Sequence, residues 1–189
     1  SESVSLVEED VLQLLNGFAE EGKVIYRENQ AMWMLTPDGR SYGEELLASE
    51  IDGLGIRSEI ENAYKEFLQV NAGFLSLCTD WQLRPSPEGS EEEQVINDHS
   101  DSEYDSGVIN RLVELDNHVQ PICSDLKECL ERFASYGDRF TYALNLVLEG
   151  EVDWFTKPMI ESYHTVWFEL HENLLSTLGI DRASESSAE

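Results

Sequence analysis

Apolar residues recur every three to four positions along most of the chain, a spacing that predicts a mainly helical protein. Residues 6–18 carry Val7, Val11, Leu14, Leu15 and Phe18 at helical spacing, and Gly22 stands where such a helix would stop. Two runs, KVIYREN and AMWMLTP, alternate instead in the manner of strands around Glu28, Asn29 and Gln30, which predicts a hairpin. The stretch TPDGRSYGEELLASEI turns at Pro37, Asp38 and Gly39 and enters a second helix. A long helix follows over residues 56–83, with Ile60, Tyr64, Phe67, Leu68, Phe74, Leu75 and Cys78 on its apolar side. Residues 84–107, RPSPEGSEEEQVINDHSDSEYDSG, are too polar to pack as regular structure and predict a long acidic loop.

Helical spacing resumes at Val108, Leu112, Leu115 and Val119 and continues through Ile122, Leu126, Cys129, Leu130 and Phe133. Pro121 therefore either kinks one helix or separates two. SYGDRFTYALNLVLEG predicts a further helix closed by Gly150, and Pro158 is placed to start the last one, closed by Gly179. No internal repeat is visible.

The order over residues 6–51 (helix, two-stranded ribbon, LTPDGR, helix) resembles the second half of a winged helix-turn-helix domain of MarR-like bacterial regulators. GKVIYREN…MWMLTPDGR looks like the wing, and LTPDGR like its exit into the next helix. The resemblance covers about a quarter of the chain, and the helices that should precede the recognition helix are absent from it. It implies a bacterial transcriptional regulator. The expected fold is mainly α: a partial winged-helix-like segment at 1–55 with a two-stranded β wing, then an antiparallel bundle of four or five helices at 56–182 that carries the acidic loop 84–107. Residues 183–189 read as a flexible tail.

Charge changes what this resemblance can mean. Twelve basic residues against 39 acidic ones give −27, and residues 1–55 alone hold 3 basic against 12 acidic, a net of −9. The helix that would read DNA carries Glu8, Glu9, Asp10 and Glu20 and no cation, while the wing offers Lys23, Arg27 and then Arg40. Affinity for DNA rests on cations that neutralise phosphates, so DNA binding falls to a basic segment upstream of Ser1, if one exists. The opening at Ser1 rather than Met points to a processed, trimmed or recombinant start. The same surface repels anionic membranes and favours basic protein partners, cations or high-salt solubility. Cys78, Cys123 and Cys129 form no C-x-x-C pair and read as reduced helix residues of a cytoplasmic protein. No apolar run approaches the ~18 residues of a membrane span.

Enzyme signatures fail on inspection. HENLL opens like the zinc-protease H-E-x-x-H, but Leu175 stands where the second histidine belongs. Asp101, Glu103 and Asp105 suggest a calcium loop, yet the sixth position is Ser106 and the twelfth is Leu112. P-loop, G-x-G-x-x-G and G-x-S-x-G patterns are absent, and no cofactor or metal is expected. What remains is a constellation with the make-up of a small-molecule pocket, aromatic walls with a few polar groups. Asp80 and Trp81 end the first long helix. Asn97 and His99 lie in the acidic loop with Asp98, Asp101, Tyr104 and Asp105. Trp154 precedes the last helix, which carries Tyr163, His164, Trp167 and His171.

Helical spacing puts His164, Phe168, His171, Leu175 and Leu178 on one stripe, so His164 is expected to face the bundle interior. One of its ring nitrogens would then be held by a carboxylate such as Asp80 or Asp98, or by a backbone carbonyl. The same aromatics equally suit a plain core, and for His171 packing is the simpler role. Three functions follow: a regulator-type sensor of a small molecule or ion, an acidic module that docks a basic protein partner without binding DNA, and an enzyme using a His–Asp pair. A homodimer is among the assemblies the resemblance allows.

Overall fold

The computed structural model describes residues 7–86 and 93–181. Residues 87–92, at the centre of the expected acidic loop, and the expected tail 183–189 lie outside the described residues. The chain is mainly helical, with two two-stranded antiparallel ribbons among the described residues. It divides into two compact units, residues 1–58 with 173–189, and residues 59–172. Among the described residues no helix is long and apolar enough to cross a membrane.

In the first unit, α1 (Glu8–Glu20) leads into β1 (Val24–Arg27) and β2 (Met32–Leu35), then α2 (Pro37–Leu54). The strands pair from Val24 opposite Leu35 to Arg27 opposite Met32, and Tyr26 and Trp33 face each other with ring centroids 5.1 Å apart. Glycine at position 22, with φ +75°, supplies the left-handed turn after α1. The ribbon is joined to α2 by one compact device. Thr36 caps α2 by accepting from Gly39 N at 3.0 Å, while its hydroxyl donates to Gly22 O at 2.8 Å and its amide donates to Lys23 O at 3.0 Å. Gly39 is buried, and any β-carbon there would overlap the Lys23 carbonyl. The apolar stripe expected on α1 is packed only in part: Val11, Leu15 and Phe18 are half-buried, while Val7 and Leu14 are exposed.

The second unit holds most of α3 (Arg57–Gln82), then β3 (Leu83–Pro85), β4 (Gln94–Ile96) and α4 (Ser102–Cys129). A 3-10 turn (Glu131–Phe133), α5 (Tyr136–Leu148), the short α6 (Asp153–Thr156) and most of α7 (Tyr163–Leu178) complete it. Among the described residues of the loop expected over 84–107, two short strands and the start of α4 are regular structure. Leu83 pairs with Ile96 and Pro85 with Gln94, and α4 begins inside the acidic run. Asp101 is the N-cap: its carboxylate accepts from Glu103 N and Tyr104 N at 3.2 and 3.0 Å. Hydrophobic periodicity could not show this, because the first turn of α4 carries the acids Glu103 and Asp105, which suit a helix N-terminus, in place of an aliphatic stripe. Pro121 does not separate two helices; α4 runs through it, with Pro121 and Asn117, whose carbonyl loses its donor, both exposed.

The core of this unit is aromatic. Phe67, Phe74, Phe140 and Tyr163 are fully buried, Trp167 nearly so, with ring centroids 4.3 Å apart for Phe74–Trp167, 4.7 Å for Phe67–Trp167 and 4.8 Å for Phe140–Tyr163. Such pairs add ~0.5–1.5 kcal/mol each beyond area burial. On α3 the expected Ile60, Tyr64, Phe67, Phe74 and Cys78 are buried, with Leu77 and Trp81 added and Leu75 exposed at the margin. On α7 the buried stripe runs through Tyr163, Val166, Trp167, Leu170 and Leu174, and Phe168 is exposed. His164 sits one residue, about 100°, round from Tyr163 and therefore at the margin of that stripe. The helix also starts later than Pro158 suggests: Ser162 accepts from Thr165 N at 3.3 Å, and Tyr163 is the first helical residue.

Candidate functional site

The β3–β4 ribbon lays residues 97–99 against the C-terminal end of α3, with Asn97 N donating to Gln82 O at 2.8 Å. Asn97 is buried and spends its whole amide there. Its Nδ2 donates to Trp81 O at 3.1 Å and to Asp105 Oδ1 at 2.7 Å, while its Oδ1 accepts from His99 N at 3.2 Å. That last bond draws the backbone of His99 into the left-handed region at φ +57°, a conformation costly for a residue with a β-carbon. The imidazole then lies across the Trp81 ring, centroids 4.4 Å apart, and Trp81 rests on Phe155 at 4.8 Å.

The hydrogen-bond network settles the imidazole's tautomer. Asn97 has two amide protons, taken by Trp81 O and Asp105 Oδ1, so none remains for His99 Nδ1 3.3 Å away. His99 Nδ1 must carry the proton and donate it to Asp105 Oδ2 at 3.0 Å. In the neutral ring the lone pair is therefore on Nε2, which meets no hydrogen-bonding group among the described residues. His99 also lines a cleft of about 380 Å³, together with Trp81, Asn97, Val152, Thr156 and Lys157 among others. Lys157 is paired with Asp153 at its rim. The arrangement offers an aromatic wall, one oriented imidazole nitrogen and a nearby cation–carboxylate pair, which suits a small polar ligand.

The sequence-level constellation divides. Trp81, Asn97 and His99 come together in this cleft. Asp80 instead pairs with Arg111 at 2.7 Å, and its backbone carbonyl accepts from Tyr104 Oη at 2.9 Å. Asp98 is held below the usual carboxylate range, chiefly by the Ser100 hydroxyl and amide, with Arg84 3.3 Å away. Neither carboxylate reaches His164. That histidine is half-buried with its ring stacked on Phe74 at 6.0 Å, it makes no hydrogen bond among the described residues, and burial lowers its pKa below 6.5. Trp154 presents an edge-on contact to Tyr142 at 5.4 Å. Tyr163, Trp167 and His171 belong to the core, where Trp167 donates to Asn71 Oδ1 at 2.9 Å and His171 lies 5.1 Å from Phe67.

Tyr163 has a further partner. Its hydroxyl donates to Asp116 Oδ1 at 2.9 Å, and Gln120 Nε2 donates to the same oxygen at 3.1 Å. Burial raises the pKa of Asp116, since no cation faces it among the described residues to offset desolvation. This is a buried polar staple between α4 and α7. Asp105 entered the sequence reading only as one of several acids of the loop, and Thr156 and Lys157 did not enter it. For Asp105 a signal exists: with Asp101 as cap, position 105 lies one turn inside α4 and can reach back to the residues before the cap. Thr156 and Lys157 carry no such signal, because the approach of α6 to the ribbon is a tertiary event. Neither a family model, nor a curated protein, nor a solved structure matches this chain.

Proposed function

We propose that this chain is the sensing part of a regulatory protein, with a small polar molecule taken up in the cleft at Trp81, Asn97 and His99. The observation that carries the reading is the His99–Asp105 pair: Asn97 and Asp105 orient one imidazole that lines a cleft, and a strained backbone is held in doing so. Strain of that kind is characteristic of sites where geometry has a use beyond packing. A regulator is favoured over an enzyme because the cleft offers one oriented base without a nucleophile beside it. The helix–ribbon–helix order of the first unit, in the sequence of the winged helix-turn-helix half of MarR-like regulators, supports the regulatory class. Three free cysteines suit a cytoplasmic setting.

The test uses nitrogen NMR of the His99 ring during titration with a panel of small carboxylic acids, amides and alcohols. Binding in the cleft shifts His99 Nε2, and His99→Gln abolishes that binding while the fold persists. A panel that leaves Nε2 unmoved, or ligands that bind His99→Gln as well as wild type, would refute the sensor reading. The reading assigns no tight duplex-DNA contact to this chain. With 3 cations in residues 1–55, counterion release has little to act on, and sub-micromolar affinity with a steep salt slope would contradict it.

A further inference from the structure

The helix α1, thirteen residues long, is only partly packed: Val11, Leu15, Phe18 and Ala19 are half-buried, none of its side chains is fully enclosed, and Leu12 and Leu14 are exposed. Helices of that length are marginal on their own and depend on a packed apolar face. Its apolar residues are nonetheless there to be packed, since Val7 before it is 65% exposed, Leu12 44% and Leu14 51%. Along one face Asp10, Gln13, Leu14, Gly17, Phe18 and Glu21 line a groove of about 530 Å³. Gly17 is a notch in that face, with no atom within 4 Å of where a β-carbon would stand. The groove is apolar in the middle and acidic at each end.

Charge selects the occupant. All ionisable groups on α1 are acids: Glu8, Glu9 and Asp10 in the first turn, and Glu20 at the other end, followed by Glu21. The first three suit the positive helix terminus, but Glu20 and Glu21 lie at the negative terminus with no basic residue in the last turn of the helix. Lys23 answers Glu21; Glu20 has no such partner among the described residues. A second copy of a chain carrying −27 would set like charge against like, and nucleic acid or an anionic bilayer would be repelled.

We infer that the α1 face is a docking surface for an amphipathic helix of a separate basic partner protein. That helix carries Lys or Arg near both ends and small or aliphatic residues between them. Asp10 and Glu21 are eleven residues apart, about 16 Å at 1.5 Å per residue, so the matching cations stand about three helical turns apart. The inference rests on α1 alone and is independent of the ligand cleft.

The probe is a fluorescein-labelled Leu/Ala helical peptide with lysines about eleven residues apart, titrated against the full chain by anisotropy. Wild type is expected to bind it. Leu14→Asp, an exposed change that circular dichroism should report as folded, is expected to abolish binding. Glu20→Lys with Glu21→Lys should weaken it about tenfold or more. The same charge change on α4, Asp125→Lys with Glu128→Lys, should leave it within about twofold. Equal binding by wild type and Leu14→Asp, or equal loss from the α4 variant, would reduce the effect to bulk charge and overturn the inference. So would tight binding of a glutamate-flanked peptide, or a wild-type dimer in sedimentation equilibrium that Leu14→Asp dissociates, which would make a second copy the occupant.

Discussion

His99 Nδ1 lies 3.0 Å from Asp105 Oδ2, and the same carboxylate takes an Asn97 amide proton on its other oxygen at 2.7 Å. One side chain from the first turns of α4 thus positions both the imidazole and the amide that strains its backbone. Asp105→Ala should cost ~1–3 kcal/mol, because two donors lose their acceptor in a half-buried place. His99→Gly should be more stable than His99→Ala by about 1 kcal/mol, since only glycine accepts φ +57° without steric cost. Urea unfolding of the three variants measures both differences; equal stability of His99→Gly and His99→Ala would show the left-handed backbone to be unstrained.

Asp116 gives a pH signature of the opposite kind from an ion-paired carboxylate. Its pKa is raised above 3.8 by burial, so the fold favours the protonated form. The stability linked to it is fully present below 3.8 and is lost as pH rises through the folded-state value. Asp116→Asn keeps a carbonyl oxygen for Tyr163 and Gln120 and removes the titration. The variant should therefore melt above wild type at neutral pH, with the gap closing toward pH 3.8. Tyr163→Phe, which deletes the 2.9 Å bond, should lower stability by ~1–3 kcal/mol. A pH-independent difference between wild type and Asp116→Asn would show that the carboxylate is solvated.

His164 titrates with the reverse sign. Burial lowers its pKa below 6.5, so the neutral ring is the folded-state form. Its contribution is intact above 6.5 and is lost as pH falls from there through the folded-state value. Wild type should lose melting temperature over that window relative to His164→Gln. His164→Gln should also leave the binding shift at His99 unchanged, because the two imidazoles belong to different surroundings. A parallel pH profile for the two proteins would contradict the burial.

Gly39→Ala should be far more damaging than a surface glycine change. The added methyl meets the Lys23 carbonyl, a backbone atom that cannot rotate away, and the Thr36 cap closes the same joint. A loss of more than about 2 kcal/mol is expected, of the order of overpacking a closed core. Gly43→Ala, also on α2 with open space around it, should instead gain up to about 1 kcal/mol through helix propensity. Hydrogen exchange of the ribbon amides gives the readout: faster exchange in Gly39→Ala alone is the expected result.

Much of this architecture was legible from one-dimensional pattern. A helix, an alternating ribbon and further helices follow from local periodicity and from glycine, proline and capping chemistry, which act within a few residues. The glycines at 22, 150 and 179 adopt positive φ at the ends of helices for that reason. On α4 the expected face, Val108, Leu112, Leu115, Val119, Ile122 and Leu126, is the buried one, but periodicity could not supply the rotation of α7. The stripe drawn through His164 and Phe168 on α7 is off by about one residue, because several apolar faces fit one spacing and only the neighbouring helices choose among them. The β3–β4 ribbon escaped for another reason: its short strands, three residues each, bury almost nothing and pair across an acidic segment.

The candidate site shows the same boundary. That Trp81, Asn97 and His99 carry suitable chemistry was visible in the residues themselves. Their convergence was decided by the ribbon that folds residues 97–99 back onto α3, which brings Asp105 to His99, while Asp80 and Asp98, expected at His164, are engaged elsewhere. Arg111 holds Asp80, and Ser100 and Arg84 hold Asp98. Composition states how many acids a chain has; only the three-dimensional competition for cations and donors assigns each one a partner, since hydrogen-bond energy falls away within an ångström of contact distance.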